Sequence, residues 1–565
     1  MTPDYTLYLV TDSTPAILGD RDLPSVVRAA VKGGVTVVQY RDKMSETVDL
    51  VRTARQLHEV TRAHNVPLLI NDRVDVALAV GAEGVHVGQE DMDLASARKL
   101  LGPDAIVGVS VGNADEAKAA TAGGASYISI GAVFATPTYA SSCLSFPQPQ
   151  LSNNNVKRVR KENTKSILGP PGVRAILSCL RGYSPSIPVI CIGGLNFSNI
   201  PRVLYQSRTS LDDPALSGVA VVSAIVAAQD PGVAAKQLRA QINTPPAFAR
   251  PRMADSVAGL GEAEAKRRCL VEDGRVKAEM VVDVLRRVAE TTPICHNMTN
   301  LVVQNFAANV ALCIGASPIM STTATEAPDL AALNGSLVVN VGTVTPDALA
   351  NYQQALAAYN EKGGPVVLDP VGAGATQLRR NALRTLLSAG YFDVIKGNED
   401  EIKAVATTAG AGAGIDTAAA QQRGVDSGAS TLSDAQKAEL VRAVAARERN
   451  VCLMTGRHDF VSDGARTFKV RNGHKFLGAI TGSGCTLGTT IAACLAVKRD
   501  DTLLATLAGV LMFEIAAEKA GARPDVTGPG SFVPAFLDAL WTLQGMYELG
   551  KADWLDAAMV DVCDV

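Results

Sequence analysis

The sequence has no strong charge of either sign, no paired cysteines and no long apolar run, and each absence removes a class of protein. A net charge of -3 over 565 residues, with a pI near 6.1, gives no electrostatic basis for binding nucleic acid or an anionic membrane. The ten cysteines include no CxxC pair and no metal-ligand spacing, which reads as reduced thiols of a cytoplasmic protein. No apolar run reaches the roughly 20 residues that a spanning helix needs. The opening "MTPDYTLYLVTDS" carries acids and enters a strand pattern at once, unlike a signal peptide. What is present is ordinary for a soluble α/β chain: 47% apolar and 19% charged residues. The length implies two to four domains, at about 150 residues each.

Eight short apolar runs alternate with helix-compatible stretches over residues 1–243: "TLYLV", "VTVVQY", "VPLLI", "GVHV", "AIVGV", "SYISIG", "PVICIGG" and "GVAVV". Eight β-α units of this length predict a (β/α)8 TIM barrel, with its site on the loops at the strands' C-terminal ends. Residues 244–275 are rich in Pro, Ala and charge without a clear strand, and read as a linker. From 276 to 565 the pattern resumes as a second α/β domain, with strands at "SLVVNVGT", "PVVLDPVG", "FDVIKGN" and "VCLMTG" and a long helical end. The order of those strands is not readable from the sequence.

Polar clusters follow the barrel strands directly. Gln39, Tyr40, Arg41, Asp42 and Lys43 follow the second, and Asn71, Asp72 and Arg73 the third. Asp91 lies just past the fourth, and Ser110 closes the fifth. Two carboxylates, Asp72 and Asp91, beside Arg41 and Lys43 suit a magnesium-bound diphosphate: hard oxygens hold Mg2+ and the cations neutralise the remaining charge. Gly193, Gly194 and Ser223 end the seventh and eighth strands, where barrels commonly hold a phosphate on backbone N–H groups.

The stretches "QYRDK", "INDRVDVALAVGAEGVHVGQEDMD", "SYISIGAVFATPT", "CIGGLN" and "GVAVVSAI" closely resemble thiamine-phosphate synthase over almost all of residues 5–240. That family joins hydroxymethylpyrimidine diphosphate to hydroxyethylthiazole phosphate and releases pyrophosphate. The resemblance implies that Gln39, Tyr40, Arg41, Asp42, Lys43 and Asn71 hold the pyrimidine diphosphate, with magnesium on Asp72 and Asp91 and Ser110 near the pyrimidine. Thr136, Pro137, Thr138, Gly193, Val222 and Ser223 would surround the thiazole phosphate. No protein nucleophile is needed, because departure of pyrophosphate leaves a pyrimidine-stabilised cation that the thiazole nitrogen captures.

The second domain carries three signals. "VVLDPVGAGAT" ends a strand in Asp369, and "VIKGNEDEI" supplies Lys396 and Glu401. "AITGSGCTLGTTIAACLA" is a Gly-rich turn opening a helix, an anion hole for a phosphoryl group in flight. Asp369 and Glu401 could order magnesium, directly or through water. Cys485 stands in the first turn of that helix, where the thiol pKa is expected to be lowered. Together with "ICHNMTNLVVQNFAANVALCIGASPIMS", these stretches closely resemble hydroxyethylthiazole kinase, of the ribokinase-like superfamily, over roughly residues 280–545. The resemblance implies ATP-dependent phosphorylation of the thiazole alcohol. Met320 and Gly482 would contact the thiazole, Lys396 and Thr455 the ATP, and Cys485 would accept the proton. It also implies a homo-oligomer assembled through the kinase domain. Lys396 departs from the Arg also common there, keeping charge but losing bidentate geometry.

Kinase product is synthase substrate, so one chain carrying both activities is coherent, and such fusions occur in fungal thiamine synthesis. One stretch breaks the pattern. In the synthase family a Lys follows the Thr-Pro-Thr turn, where Tyr139 stands here. Omitting residues 139–160 joins Thr138 to Lys161 and restores it as "ATPTKENTKSILGPPGV". The 22 intervening residues, rich in Ser, Asn and Gln, read as an insertion or a retained intron. Lys161 then takes the role at the diphosphate. The alternatives are an active kinase beside a barrel impaired by that insertion, or a thiamine-pathway binding or sensor protein.

Overall fold

The computed structural model describes residues 3–134, 167–184, 186–208, 216–249, 270–272, 275–408 and 432–565. Thr136, Pro137, Thr138, Lys161 and the whole of 139–160 lie outside the described residues, as does most of 250–275. The chain divides into two compact units, Met1–Pro245 and Pro246–Val565.

In the first unit, β1 (Leu7–Val10), β2 (Val37–Tyr40), β3 (Leu68–Asn71), β4 (Gly84–Val87), β5 (Ile106–Val111), β6 (Tyr127–Ile130), β7 (Val189–Cys191) and β8 (Gly218–Val221) form a closed parallel barrel. Closure comes from β1, which pairs with β2 on one side and β8 on the other. Alternation along each strand sends residues to two cores. Val38 and Tyr40 of β2 face the helical layer, whereas Val37 belongs to the interior cluster with Tyr5, Tyr8, Val10, Leu69 and Tyr127. Gly108 makes room for one of these rings, since a Cβ there would lie 2.1 Å from Cζ of Tyr127. The helix Pro231–Asn243 closes the unit. It is capped by Asp230, whose carboxylate accepts the Gly232 and Val233 N–H groups.

The second unit begins on the C-terminal side of Pro245. Phe248 is buried and stacks on Tyr391, with ring centroids 4.7 Å apart. A short ribbon, β9 (Val271–Glu272) with β10 (Arg275–Val276), precedes the helix Ala278–Thr291. The described residues at the far end of the stretch 244–275 are thus folded onto this unit. Nine strands make its sheet: β11 (Ile294–Met298), β12 (Ser317–Ile319), β13 (Ser336–Asn340), β14 (Val366–Asp369), β15 (Val394–Asn398), β16 (Val451–Thr455), β17 (Asp459–Ser462), β18 (Thr467–Val470) and β19 (Val560–Val562). Their order is β12-β11-β13-β14-β15-β16-β17-β18-β19, parallel through β16 and antiparallel beyond it. The chain reverses its direction of travel across the sheet at β11, which places a crevice at the C-terminal ends of β11 and β13. Two apolar cores cover the two faces. Among the described residues, no helix is long and apolar enough to cross a membrane.

Candidate functional site

The acidic half of the barrel mouth is built by β2, β3 and β4. Asp72 follows β3 with a positive φ of 62°, its N–H bound to the His86 carbonyl at 2.9 Å. This unusual backbone turns its carboxyl toward Asp91, with which it shares a hydrogen bond. Asp91 is anchored from the Gly88 N–H at 2.7 Å, and Lys43 Nζ lies 2.9 Å from Asp72. Burial and the Asp91 carboxyl raise the pKa of Asp72. Burial works against Asp91 too, but hydrogen bonds from Asp72 and the Gly88 N–H hold it low. Two neighbouring carboxyls beside a lysine form a donor set suited to a hard divalent cation. Gln39 and Asn71 join this half through a 2.6 Å bond from Gln39 Nε2 to Asn71 Oδ1.

Tyr40 and Asp42 do not join it with their side chains. Tyr40 points outward into the helix-facing core, as strand alternation requires once Gln39 points in. The Asp42 carboxylate accepts the Met44 and Ser45 N–H groups and so folds its own loop.

The other half is a cradle of backbone. Gly193 and Gly194 follow β7 at φ 108° and 64°, and a Cβ on Gly193 would lie 2.7 Å from the Ala132 backbone. Val222 and Ser223 follow β8. One cavity is lined by Arg41 together with Gly193, Gly194, Val222 and Ser223, with Thr11 and Asp12 completing its wall. Arg41, which directly follows β2, thus lines the cradle.

In the second unit the polar groups again collect at strand ends. Lys396 Nζ is 2.9 Å from Asp369 Oδ1, and Asn340 Nδ2 donates to Asp369 Oδ2 at 2.7 Å. Asn340 Oδ1 accepts from Asn300 Nδ2 at 3.1 Å, and the same Nδ2 reaches Cys485 Sγ at 3.6 Å. Glu401 accepts the Gly372 N–H at 2.7 Å and the Asn398 N–H at 2.8 Å. Burial and the nearby Asp369 push Glu401 up to about 7. The helix Ser483–Val497 starts at Gly482, whose φ of 86° disfavours a side chain and where a Cβ would lie only 2.6 Å from Val303 Cγ2. Its first N–H groups have no intrahelical acceptor, an arrangement able to receive an anion.

The family model for thiamine monophosphate synthase matches residues 7–147, and that of the hydroxyethylthiazole kinase family matches residues 285–545. A probable thiamine biosynthetic bifunctional enzyme of Schizosaccharomyces pombe is 37% identical over 564 residues, covering 99% of this chain and 98% of the relative. The thiamine biosynthetic bifunctional enzyme of Saccharomyces cerevisiae is 35% identical, covering 96% and 95%. A hydroxyethylthiazole kinase of Moorella thermoacetica is 39% identical over 267 residues, covering 47% of this chain and 94% of the relative. The chain belongs to the family of bifunctional thiamine biosynthetic enzymes. It carries a thiamine-phosphate synthase and a hydroxyethylthiazole kinase in one polypeptide.

Within this bifunctional enzyme one sequence expectation is corrected. The Cys485 thiol is not lowered by its place at the helix N-terminus. It is pushed up to about 12, because burial removes the water that would solvate a thiolate and Asp369 opposes its charge. Lys396 is enclosed and paired with Asp369, and Thr455 ends β16 at the rim. Met320 follows β12. Sequence reasoning missed Asn300 and Asn340, which sit in "NMTN" and "VVNVG", and a buried polar group of the barrel centred on His86 in "GVHVGQ". The available signal was an inward-facing polar residue inside an apolar run, which alone reads as core.

Proposed function

We propose that the kinase unit phosphorylates the alcohol of 4-methyl-5-(2-hydroxyethyl)thiazole with ATP and that the barrel condenses the product with hydroxymethylpyrimidine diphosphate. Thiamine phosphate and pyrophosphate are the final products. The observations that carry the barrel reading are the Asp72, Asp91 and Lys43 cluster after β2, β3 and β4 and, at the same mouth, a cavity lined by Arg41 with Gly193, Gly194, Val222 and Ser223. One side suits a diphosphate and the other a monophosphate, as two phosphorylated substrates require.

In the barrel, Asp72 and Asp91 would hold magnesium, which would supply countercharge to the diphosphate. Lys43 and Arg41 take the remaining phosphate charge, and Asn71 and Gln39 orient the pyrimidine end. Thr136, Pro137, Thr138 and Lys161, outside the described residues, belong to the same mouth by resemblance. Positioning the thiazole nitrogen against the pyrimidine carbon and stabilising departing pyrophosphate carry the rate.

In the kinase, the N–H groups after Gly482 receive the phosphoryl oxygens, and Thr455 lies at the nucleotide. Asp369 and Glu401 would hold magnesium, which would supply countercharge to the phosphates; both Glu401 oxygens also accept backbone N–H groups, which fixes its carboxyl in place. Lys396 supplies countercharge from behind Asp369. Cys485, at the anion hole, takes the alcohol proton while Asn300 holds its sulfur. Leu301 and Val302 are 74% and 73% exposed directly beside Asn300, which supports a homo-oligomer joined at the kinase unit. The kinase domain spans about 276–565 and the synthase 1–243.

The test supplies the full chain with the thiazole alcohol, ATP, magnesium and the pyrimidine diphosphate, following thiazole phosphate and thiamine phosphate separately. Asp72→Asn should stop the second product and spare the first. A variant that loses both, or neither, refutes the division of labour.

A further inference from the structure

Six polar side chains on six barrel strands form one unbroken hydrogen-bonded chain. Ser110 Oγ meets His86 Nε2 at 2.8 Å, and His86 Nδ1 meets Tyr127 Oη at 2.8 Å. Tyr127 Oη meets Tyr8 Oη at 2.7 Å, and Tyr8 Oη donates to Gln39 Oε1 at 3.0 Å. Gln39 Nε2 then donates to Asn71 Oδ1 at 2.6 Å. Tyr8, Gln39, His86 and Tyr127 are buried. The two ends, Ser110 and Asn71, lie at the C-terminal ends of β5 and β3, on the mouth. Simple filling of a barrel interior needs no hydroxyls, and buried ones cost free energy unless every link is made.

Each link sets the direction of the next. The single proton of Tyr8 goes to Gln39 Oε1, so the Tyr8 oxygen accepts from Tyr127. With its own proton spent on Tyr8, the Tyr127 oxygen accepts from His86 Nδ1–H. A neutral imidazole that donates from Nδ1 accepts at Nε2, so the Ser110 hydroxyl donates to His86. The Ser110 oxygen is left with lone pairs only. At the opposite end, Asn71 Oδ1 is occupied by Gln39, which leaves the two Asn71 N–H groups to donate elsewhere.

We propose that Tyr8, Tyr127 and His86 are positioning residues that fix the polarity of the pyrimidine site, making Ser110 an acceptor and Asn71 a donor. The inference rests on the reading above that Ser110 and Asn71 face the pyrimidine diphosphate. An acceptor at Ser110 suits a ring bearing an amino group, whose N–H points at the serine oxygen. A ring with an oxo group in that place brings a lone pair against lone pairs. A donor at Asn71 suits a ring nitrogen or a phosphate oxygen. The relay thus selects an amino-substituted pyrimidine over its oxo counterpart, by leaving the wrong ligand with an unpaired buried group.

Calorimetry on the full chain tests this with three ligands in magnesium: the aminopyrimidine diphosphate, its oxo analogue and inorganic pyrophosphate. The unaltered chain should bind the amino ligand at least about 30-fold more tightly than the oxo analogue. Tyr127→Phe keeps the ring and removes the link, freeing the serine hydroxyl to donate. The preference should fall below about fivefold while pyrophosphate affinity is unchanged, a split that a general loss of structure would not produce. Tyr8→Phe cuts the same link from the other side and should behave alike, so misfolding of one variant leaves the test standing. A preference retained in a folded variant, or absent from the unaltered chain, overturns the relay while pyrophosphate binding upholds the site. Failure of pyrophosphate to bind the unaltered chain overturns the site reading, and the relay with it.

Discussion

Lys396 Nζ sits 2.9 Å from Asp369 Oδ1, with both side chains almost wholly enclosed beneath the anion-hole helix. Breaking such a pair on one side strands a charge in the protein interior, which costs about 3–5 kcal/mol. Lys396→Met should therefore lower the unfolding free energy of the kinase unit by that amount in urea titrations. The double change Lys396→Met with Asp369→Asn should cost clearly less, since no charge is then stranded. Equal losses in the single and double variants would show that packing of the lysine stem sets the cost.

Cys485 stands where the phosphoryl group would be received, beside Asn300. Cys485→Ala should slow thiazole phosphorylation by about 10²-fold or more, the usual scale for losing a proton acceptor, with little change in melting temperature. Since the thiol is held up at about 12, the rate limited by its deprotonation should still be climbing with pH well above neutrality. Near-normal turnover by the alanine variant would return Cys485 to a packing role.

A buried carboxyl pair makes the kinase unit sensitive to pH. Burial raises Asp459 from an ordinary carboxyl value to about 6, and burial with Asp459 alongside raises Glu514 well above its usual value too. Both groups hold protons more tightly folded than unfolded. Folding is therefore favoured at low pH, and this contribution declines as pH climbs from about 4 through 6 and beyond. Glu514→Gln removes one titrating member, so thermal melts should show it stabilising at pH 8 and near neutral at pH 5. A variant equally stable at both values relative to the parent would disprove the coupling.

Phe248, stacked on Tyr391, lies on the N-terminal side of the residue where the kinase pattern resumes in the sequence. A fragment starting at Pro246 should melt higher than one starting at residue 276, and both should phosphorylate the thiazole. Identical melting would make the stacking incidental.

The segment 139–160 interrupts the sequence pattern between Thr138 and Lys161. Deleting it should raise the rate of thiamine phosphate formation from supplied substrates, because ordering extra residues costs roughly 1 kcal/mol or more each. Adding Lys161→Ala to the deletion should abolish the gain, and the kinase should be indifferent to both. Equal synthase rates with and without the segment would mark it as a harmless loop.

The barrel was legible because buried parallel strands appear as short apolar runs, and eight such runs leave little choice of closure. Asp72, Asp91 and Arg41 were legible for a related reason: charges directly after apolar strands mark the mouth. The kinase sheet order was not, since β12 pairs outside β11 through contacts that local pattern does not encode. Tyr40 faces the helical layer although its neighbours in sequence are polar, because alternation alone decides which face it takes. His86 and Tyr127 sit inside apolar runs, and only the third dimension brings their polar atoms together. The thiol of Cys485 went the other way for a similar cause, since helix position is local and burial is not.

Closure of the barrel by β1 against β8 also has a consequence in time. During synthesis at 5–20 residues per second, the edge of β1 waits roughly 10–40 seconds for β8 to be made. Over that interval the nascent sheet presents open backbone donors and acceptors, and every residue placed between β6 and β7 lengthens the exposure. The stretch around 139–160 therefore adds to the period in which a chaperone, or a neighbouring nascent chain, competes for that edge.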